Sequence, residues 1–248
     1  MIALILAAGY ATRLYPLTID TPKPLLPVQG ERTILDLLVA RLEVLEDISE
    51  ILVVTNERFF GAFEQWRQEY RGRKPVRILN DGTTSPEERL GAIGDIQFVL
   101  EREQVEDDLL VLAGDNVLGF SLEGYLDYFR KIDTDCILVR TVDDPAELRR
   151  IGVAELDAQM RVVSLEEKPQ HPRSNIGVFA LYIYKRSTLP LFSRYLDEGG
   201  NPDAPSYFPE WLHSRRELRA YYTDGTIEDV GTPEAYEQMR ARLEGQGE

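Results

Sequence analysis

The sequence of 248 residues contains one cysteine and two histidines, and this scarcity excludes several kinds of site. Cys136 lies in an apolar run, cannot form a disulfide within the chain and offers no CxxC pair to a metal or redox centre. His171 and His213 lack the HxxxH spacing of a helical zinc site. With only two histidines, the chain offers few residues that could serve as the base of a catalytic triad.

The sequence also lacks an apolar run that approaches the length of a bilayer span, and the N-terminal Met1–Leu6 lacks the basic segment that begins a secretory signal. We therefore expect a cytoplasmic protein with no membrane partner. The formal net charge of −15 repels polyanions, so we expect no nucleic-acid partner. A phosphate ligand would need positively charged side chains close to its binding site. The sequence is also compatible with a homo-oligomer.

Lysine is scarce among the basic residues: five are lysines and the other 23 of the 28 are arginines. A lysine inside a motif therefore deserves examination. The lysines are Lys23, Lys74, Lys131, Lys168 and Lys185.

Up to about residue 140, short β-branched runs alternate with longer amphipathic stretches, which is typical of βα units on a mainly parallel sheet. The predicted strands are Ile2–Leu6, Ile51–Thr55, Val76–Leu79, Leu109–Ala113 and Cys136–Arg140. The predicted helices are Ile34–Leu45, Arg58–Tyr70, Ala92–Arg102 and Leu122–Phe129.

After Asp144 the pattern changes, because strands follow one another with only turns between them, which predicts a mixed or antiparallel extension. These predicted strands are Gly152–Leu156, Val162–Glu166 and Ile176–Tyr184. A helix around Ser206–His213, a strand at Leu218–Tyr222 and a helix at Pro233–Leu243 complete the prediction. At this length we expect a single domain over residues 1–248.

The first predicted strand runs directly into a loop of small residues, where backbone N–H groups can approach a phosphate chain. The segment is Leu6, Ala7, Ala8, Gly9, Tyr10, Ala11, Thr12, Arg13 and Leu14. It matches neither the GxGxxG dinucleotide fingerprint nor the GxxxxGK[ST] P-loop. On its own it is equally consistent with a tight turn that needs one glycine.

A second segment favours the phosphate-binding loop over a simple turn. It contains Pro16, Leu17 and Thr18, followed by Pro22, Lys23, Pro24, Leu25, Leu26, Pro27 and Val28. Together the two segments resemble the signature of the sugar-phosphate nucleotidyltransferase family, which runs from Leu-Ala-Ala-Gly or Leu-Ala-Gly-Gly through Thr-Arg-Leu to Pro-Lys-Pro. The family includes glucose-1-phosphate thymidylyltransferases and mannose-1-phosphate guanylyltransferases.

The resemblance implies an α/β fold: a Rossmann-like, three-layer nucleotidyltransferase (GT-A-like) fold with a mixed, mainly parallel central sheet. It implies an NTP and a sugar 1-phosphate, or a similar phosphate monoester, as substrates, and Mg²⁺ as cofactor. A nucleotide-binding half would cover residues 1–135 and an acceptor-binding half residues 136–243. Neither the base nor the acceptor is fixed by the sequence.

By the same resemblance, Arg13 and Lys23 are the catalytic cations, which bind the triphosphate and stabilise the charge that develops as pyrophosphate leaves. The residues implied to bind the nucleotide are Leu6, Ala7, Ala8, Gly9, Tyr10, Ala11, Thr12, Asn80, Leu90 and Gly91. Ala11 departs from the family, in which many members have glycine, and a methyl group there disfavours backbone angles that glycine adopts easily.

Two aspartates are implied to bind the metal. Asp115 comes directly after the predicted strand Leu109–Ala113, and Asp229 lies in an Asp-x-Gly-Thr segment in which Ile227 replaces a tryptophan common in the family. Each follows a predicted strand or strand-like segment near the same edge of the sheet, so we expect the two carboxylates to converge. As a tripeptide, Gly-Asp-Asn would also suit a plain turn.

The acceptor half of the family corresponds to a group of four residues: Gly152, Glu167, Lys168 and Asn175. The resemblance assigns Lys168 to the acceptor phosphate and Glu167 to the sugar hydroxyls. A carboxylate accepts hydrogen bonds from neighbouring hydroxyls, and an ammonium pairs with a phosphate. Outside this context, Glu-Glu-Lys is usually a solvated surface run.

Two other functions stay open. One is a nucleotidyltransferase-like regulatory or nucleotide-sugar-binding module without catalysis, although such modules commonly lose the metal carboxylates or loop cations that this chain retains. The other is a GT-A glycosyltransferase, which shares the fold but typically carries an Asp-x-Asp metal motif after a strand. Here Asp133-Thr134-Asp135 precedes a predicted strand.

Overall fold

The computed structural model describes residues 1–245. Its strands are β1 (Ile2–Leu6), β2 (Pro27–Gln29), β3 (Arg32–Thr33), β4 (Glu50–Thr55), β5 (Val76–Asn80), β6 (Leu109–Ala113), β7 (Asn116–Leu118), β8 (Asp135–Thr141), β9 (Gly152–Leu156), β10 (Val162–Glu167), β11 (Ile176–Tyr184), β12 (Leu218–Tyr222) and β13 (Ile227–Asp229). Its α-helices are α1 (Ile34–Glu43), α2 (Glu57–Glu69), α3 (Ala92–Glu103), α4 (Glu123–Ile132), α5 (Pro145–Leu148), α6 (Pro190–Asp197), α7 (Tyr207–Leu212) and α8 (Pro233–Glu244). None of the helices described is both long and apolar enough to cross a bilayer.

Contacts divide the chain into two compact units built from interleaved segments. The first unit comprises Ile2–Arg89, Ala113–Leu122 and the chain from Thr226. The second unit comprises Met1, Leu90–Leu112 and Glu123–Gly225. The assignment of the whole chain to one domain with a boundary near residue 135 remains a prediction.

The first unit contains a parallel arrangement in which β4 pairs with both β1 and β5. The middle residues of β1 and β4 are fully buried, as expected for strands with near-continuous apolar sequences. Helix α1 begins at a capping box between Thr33 and Asp36, and the side chain of Asn56 caps α2.

Two short strand pairs complete the first unit: the β2–β3 hairpin and the antiparallel pair of β7 with β13. Thr232 caps the start of α8, and its side chain accepts a hydrogen bond from Ala235 N–H. The buried face of α8 joins an apolar cluster formed by Leu14, Leu26, Val28, Ile34, Val117, Val230, Tyr236, Met239 and Leu243. This cluster connects the last helix to the loop segments around Leu14 and Leu26, which flank the predicted catalytic cations.

The second unit is organised around β11, which pairs antiparallel with β6, β8 and β9. Strand β10 extends β9 in antiparallel fashion, and β12 runs parallel to β8. The antiparallel extension predicted after Asp144 is confirmed. The α/β class with a mixed sheet is confirmed as well.

Candidate active site

The loop after β1 is held by backbone hydrogen bonds to its neighbours in the first unit. Ala7 N–H donates to Val54 O over 2.9 Å, and Gly114 N–H donates to Leu6 O over 2.8 Å. Ala7 and Ala8 are buried, whereas Gly9 is exposed, and a Cβ built on Gly9 would meet no atom within 4 Å. The loop therefore has an open side at Gly9, where a ligand can approach the backbone.

Ala11 adopts a left-handed backbone conformation with φ 45°. This is the region that glycine occupies without cost, so the alanine found here carries strain of roughly 1–2 kcal/mol. Thr18 supports the turn, because its hydroxyl donates to Ala11 O over 2.8 Å. The buried Tyr10 donates its hydroxyl hydrogen to Thr83 O, so its side chain holds the loop in place and does not reach the open side.

Asn56 is a supporting residue that sequence reasoning missed. It is fully buried, its Nδ2 donates to Ala8 O over 2.9 Å, and its Oδ1 accepts from Phe59 N–H over 3.0 Å. One amide side chain thus caps α2 and fixes a carbonyl of the glycine loop. The available signal was an asparagine between a strand and a helix, which indicates a cap and nothing about the loop.

We expect Asn56→Asp to destabilise the protein by about 1–3 kcal/mol and to raise KM for the NTP, because a buried carboxylate oxygen would face the Ala8 carbonyl without a hydrogen between them. The remaining carboxylate oxygen would still accept the hydrogen bond from Phe59 N–H that caps α2. Urea denaturation and initial-rate kinetics measure the two effects. Asn201→Asp, at an exposed turn, is the matched control, and equal behaviour of the two variants would contradict the role given to Asn56.

The ammonium of Lys23 lies between the two aspartates predicted to bind metal. Lys23 Nζ is 2.8 Å from Asp115 Oδ2 and also forms an ion pair and hydrogen bond with Asp229 Oδ1. The lysine side chain is 7% exposed, whereas the aspartates are 40% and 55% exposed. The expected convergence of the two carboxylates is therefore observed, with a cation between them.

Local pairing explains how residues so distant in sequence meet. Asp115 lies in the turn between β6 and β7, and β13 pairs with β7 in a register that sets Asp229 opposite Asn116, the residue after Asp115. Gly119 N–H donates to Thr226 O over 2.8 Å and extends the pairing by one bond. The β7–β13 pair thus fixes both carboxylates within the first unit.

The two carboxylates suit a hard divalent cation, since Mg²⁺ prefers oxygen ligands and commonly takes one or two protein carboxylates with substrate and water oxygens. Within residues 1–245, no group of three or more histidine, cysteine, aspartate or glutamate side chains is placed to hold a metal ion. A site made of Asp115 and Asp229 would therefore be completed by oxygens from the substrate.

The other predicted nucleotide residues lie in different surroundings. Arg13 is exposed on a 3-10 turn at Thr12–Leu14. Asn80 ends β5, where its Oδ1 accepts from Gly82 N–H over 2.8 Å and its Nδ2 donates to Glu57. Their assignment to the nucleotide remains a prediction.

Leu90 and Gly91 belong to the second unit, where Gly91 precedes α3. Gly91 has φ +79°, and a Cβ at this position would lie 2.5 Å from Pro202 O. Ala92 and Ile93 donate their N–H groups to Asp203 O and Pro202 O. Backbone conformation and packing therefore require glycine here without any ligand, and a contact with the nucleotide stays a prediction.

Three of the four predicted acceptor residues are neighbours in the second unit. Gly152 pairs with Glu167 across β9 and β10, and Lys168 Nζ is 3.5 Å from Glu167 Oε1. The Glu167 side chain is 4% exposed and the Lys168 side chain 49% exposed. Asn175 lies farther away, because the next residue, Ile176, pairs with Ala154, two positions along β9 from Gly152.

The alternative metal motif, Asp133-Thr134-Asp135, serves the internal structure of the second unit. Asp133 accepts from Lys185 Nζ over 2.8 Å, while Asp135 accepts from Lys185 N–H over 2.8 Å and from Thr188 Oγ1 over 2.7 Å. Burial raises the pKa of Asp135. Both carboxylates are thus engaged in fixing the start of β8 to the Lys185–Thr188 segment.

Comparison with known proteins finds relatives that match almost the whole chain. The chain is 29% identical over 243 residues to a protein of Sulfolobus acidocaldarius provisionally named mannose-1-phosphate guanyltransferase, covering 98% of this chain and 62% of that one. It is 28% identical to a glucose-1-phosphate adenylyltransferase of Bacillus thuringiensis, covering 93% of this chain and 64% of the relative. The chain thus spans less than two thirds of the length of these relatives.

A crystal structure from Bacillus anthracis in complex with sucrose, provisionally named a glucose-1-phosphate thymidylyltransferase, superposes with a TM-score of 0.78 at 25% identity. The match covers 98% of this chain and 95% of that one, and it confirms the predicted fold. The profile of the family described as nucleotidyl transferase matches residues 2–246. The chain therefore belongs to the nucleotidyl transferase family.

Proposed function

We propose that this protein transfers a nucleoside monophosphate from an NTP to a sugar 1-phosphate and releases pyrophosphate. The observation that carries the proposal is the cluster in which Lys23 lies between Asp115 and Asp229, in the unit that also holds the glycine loop. The glycine loop can bind phosphate groups through its backbone, and a lysine flanked by two carboxylates can supply positive charge and metal ligands. Phosphoryl transfer requires these groups together.

In the proposed reaction a phosphate oxygen of the acceptor attacks the α-phosphorus of the NTP. A new P–O bond forms as the bond from the α-phosphorus to the oxygen bridging to the β-phosphate breaks, and pyrophosphate leaves with that electron pair. The attacking oxygen is already largely ionised at neutral pH, so no general base is needed. This agrees with a chain that contains only two histidines.

The protein's contribution is therefore positioning and charge. The open backbone at Gly9 receives the phosphate chain, while Arg13 and Lys23 provide positive charge for the triphosphate and the departing pyrophosphate. Asp115 and Asp229 would hold Mg²⁺, which supplies Lewis-acid polarisation of phosphate oxygens when bound. The Lys23 ammonium now pairs with both carboxylates, so that one cluster provides a lysine for phosphate and oxygens for a cation.

In the second unit, Lys168 suits the acceptor phosphate because half of its side chain is exposed to solvent. Glu167 suits the sugar hydroxyls, to which a carboxylate can offer several lone pairs. Gly152 has no side chain, and a Cβ at its position would lie only 3.3 Å from Glu167 Oε2. Glycine therefore keeps the space beside the Glu167 carboxylate free. The relatives use different bases, so the base and the sugar are left to experiment.

The test is release of pyrophosphate from a panel of NTPs, each combined with a panel of sugar 1-phosphates. Turnover that requires both substrates and yields a nucleotide sugar supports the proposal. The melting temperature measured with each NTP first identifies which bases the protein binds, because a ligand at a concentration well above its Kd stabilises the protein by a few kcal/mol. Nucleotide binding without turnover for any pair would favour the non-catalytic module, and transfer of sugar from a finished nucleotide sugar would favour the glycosyltransferase.

We expect Lys168→Ala and Glu167→Gln to raise KM for the sugar phosphate about tenfold or more while KM for the NTP stays nearly constant. Each variant removes a charge-assisted contact to the acceptor, and such contacts are stronger than neutral hydrogen bonds. Steady-state kinetics with each substrate varied separately measures both constants. Equal increases in the two constants would contradict the assignment of these residues to the acceptor.

A further inference from the structure

Glu167 is held by neighbours that the family resemblance did not identify. Its buried carboxylate accepts a hydrogen bond from the hydroxyl of Ser206, and its backbone N–H donates to Glu210 Oε2 over 3.2 Å. Ser206 directly precedes α7, and Glu210 lies within that helix. Ser206 thus engages the side chain of Glu167, and Glu210 of α7 engages its main chain.

Ser206 does not cap α7 with its side chain, although its position before the helix predicts that it would. A serine directly before a helix normally accepts a hydrogen bond from a backbone N–H of the first turn. Here its side chain makes no such capping bond, its backbone is already helical at φ −77° and ψ −13°, and its hydroxyl hydrogen goes to Glu167. Ser206 is 5% exposed, so water does not readily replace this donor.

The surroundings leave the carboxylate little choice of orientation. Gly152 lies beside the same carboxylate oxygen that accepts from Ser206, since a Cβ there would lie 3.3 Å from Glu167 Oε2 and 3.4 Å from Ser206 Cβ. The charged and titratable groups that face Glu167 are Lys168 at the end of β10, Glu210 on α7 and the buried Tyr182 on β11. Of these, Lys168 favours the ionised form of Glu167. Burial raises the pKa of Glu210, and the charge of Glu167 adds to that increase.

We propose that Ser206 is a positioning residue for the acceptor site, which fixes the Glu167 carboxylate in the orientation that accepts hydrogen bonds from sugar hydroxyls. This rests on the proposed function for the identity of the ligand. Ser206 itself acts through Glu167 and need not contact the substrate. Because Glu167 is buried, its orientation would otherwise depend on Lys168, whose side chain is half exposed.

The hydrogen bond also affects ionisation. Burial raises the pKa of Glu167, and the hydrogen bond from Ser206 opposes that increase, as does Lys168. Removing the hydroxyl would therefore raise the pKa of Glu167 further. Glu167 loses its charge as the pH falls through its pKa, so the acidic loss of acceptor binding should begin at a higher pH in Ser206→Ala than in the wild type.

The first experiment compares wild type, Ser206→Ala and the control Ser214→Ala, an exposed serine after α7. We expect Ser206→Ala to raise acceptor KM about tenfold, the effect of one hydrogen bond to a charged group, with NTP KM nearly unchanged. The melting temperature should fall by a few degrees, because a buried carboxylate loses a donor. The pH below which acceptor KM rises should move upward in this variant alone. Titration of the acceptor phosphate contributes equally to all three proteins and cancels.

The double variant Ser206→Ala with Glu167→Gln separates positioning from a structural effect. If Ser206 acts through Glu167, its removal should have little further effect on acceptor KM once Glu167 is glutamine. Additive effects, or equal increases of both KM values in Ser206→Ala, would overturn the proposal.

A readout independent of turnover keeps this inference apart from the proposed function. In protein labelled with ¹³C at glutamate carboxyls, the Glu167 resonance should titrate at higher pH in Ser206→Ala than in the wild type. An unchanged titration would show that Ser206 does not act on Glu167, even if the enzyme is active. A shifted titration in a protein without pyrophosphate release would retain the Ser206–Glu167 link and reject the sugar-phosphate substrate.

Discussion

Asp115→Asn and Asp229→Asn should each remove most of the turnover that depends on a divalent cation, with a loss of roughly 10²-fold or more in kcat. Asparagine keeps the shape of the side chain but offers one neutral oxygen where the carboxylate offers two that share a negative charge. The pair is the main source of carboxylate oxygen around Lys23, so the loss of either charge weakens the hold on a divalent cation.

The same substitutions should leave the fold almost unchanged. Both aspartates are substantially exposed, and in each variant the buried Lys23 keeps the other carboxylate as a partner, so the melting temperature should shift by a few degrees at most. Asp224→Asn, an exposed aspartate shortly before Asp229, is the matched control and should keep normal activity. Near-normal turnover in Asp115→Asn or Asp229→Asn would remove that residue from the mechanism.

Several strands in both units could be predicted from the sequence, because their burial leaves a strong apolar pattern. Strands β1, β6, β9 and β11 begin and end at the predicted residues, because each is a short apolar or β-branched run bounded by turn residues. The predicted helices differ from the observed ones by up to three residues at their ends, where capping decides the boundary.

The pairing of β7 with β13 could not be predicted in the same way. Each strand has three residues, too few for a periodic signal, and the two are separated by more than a hundred residues. Sequence reasoning expected Asp115 and Asp229 to meet because each follows a predicted strand or a strand-like segment. The register that sets Asp229 opposite Asn116 depends on tertiary packing, including the apolar contacts of Val117 and Val230.

The supporting residues of the site were hidden for a different reason. Ser206 and Asn56 both stand before helices, where Ser and Asn are expected as caps. Asn56 is a cap and also holds Ala8, whereas the Ser206 hydroxyl donates a hydrogen bond to Glu167. Local sequence reveals that a position favours such a residue, but it does not reveal which distant group the side chain contacts.

Lys23→Ala should lower kcat roughly 10²-fold or more, because a fixed ammonium aimed at developing phosphoryl charge stabilises the transition state more than the ground state. Initial rates over a range of NTP concentrations measure this. A change confined to KM would mean that Lys23 binds only the ground-state triphosphate. The control is Lys131→Ala, an exposed lysine near the end of α4, which should retain normal kinetics.

The same variant should also bind divalent cations more readily when no nucleotide is present. In the structure the Lys23 ammonium neutralises Asp115 and Asp229, and a cation entering this cluster must compete with it. Without the lysine the two carboxylates face each other with no cation between them, so a divalent ion gains their full attraction. Lys23→Ala should therefore show a larger increase in melting temperature with MnCl₂ than the wild type or Lys131→Ala, together with its loss of kcat. If Lys23→Ala binds Mn²⁺ no better than the wild type, the ammonium does not compete for the cluster, and Lys23 would act on the triphosphate alone.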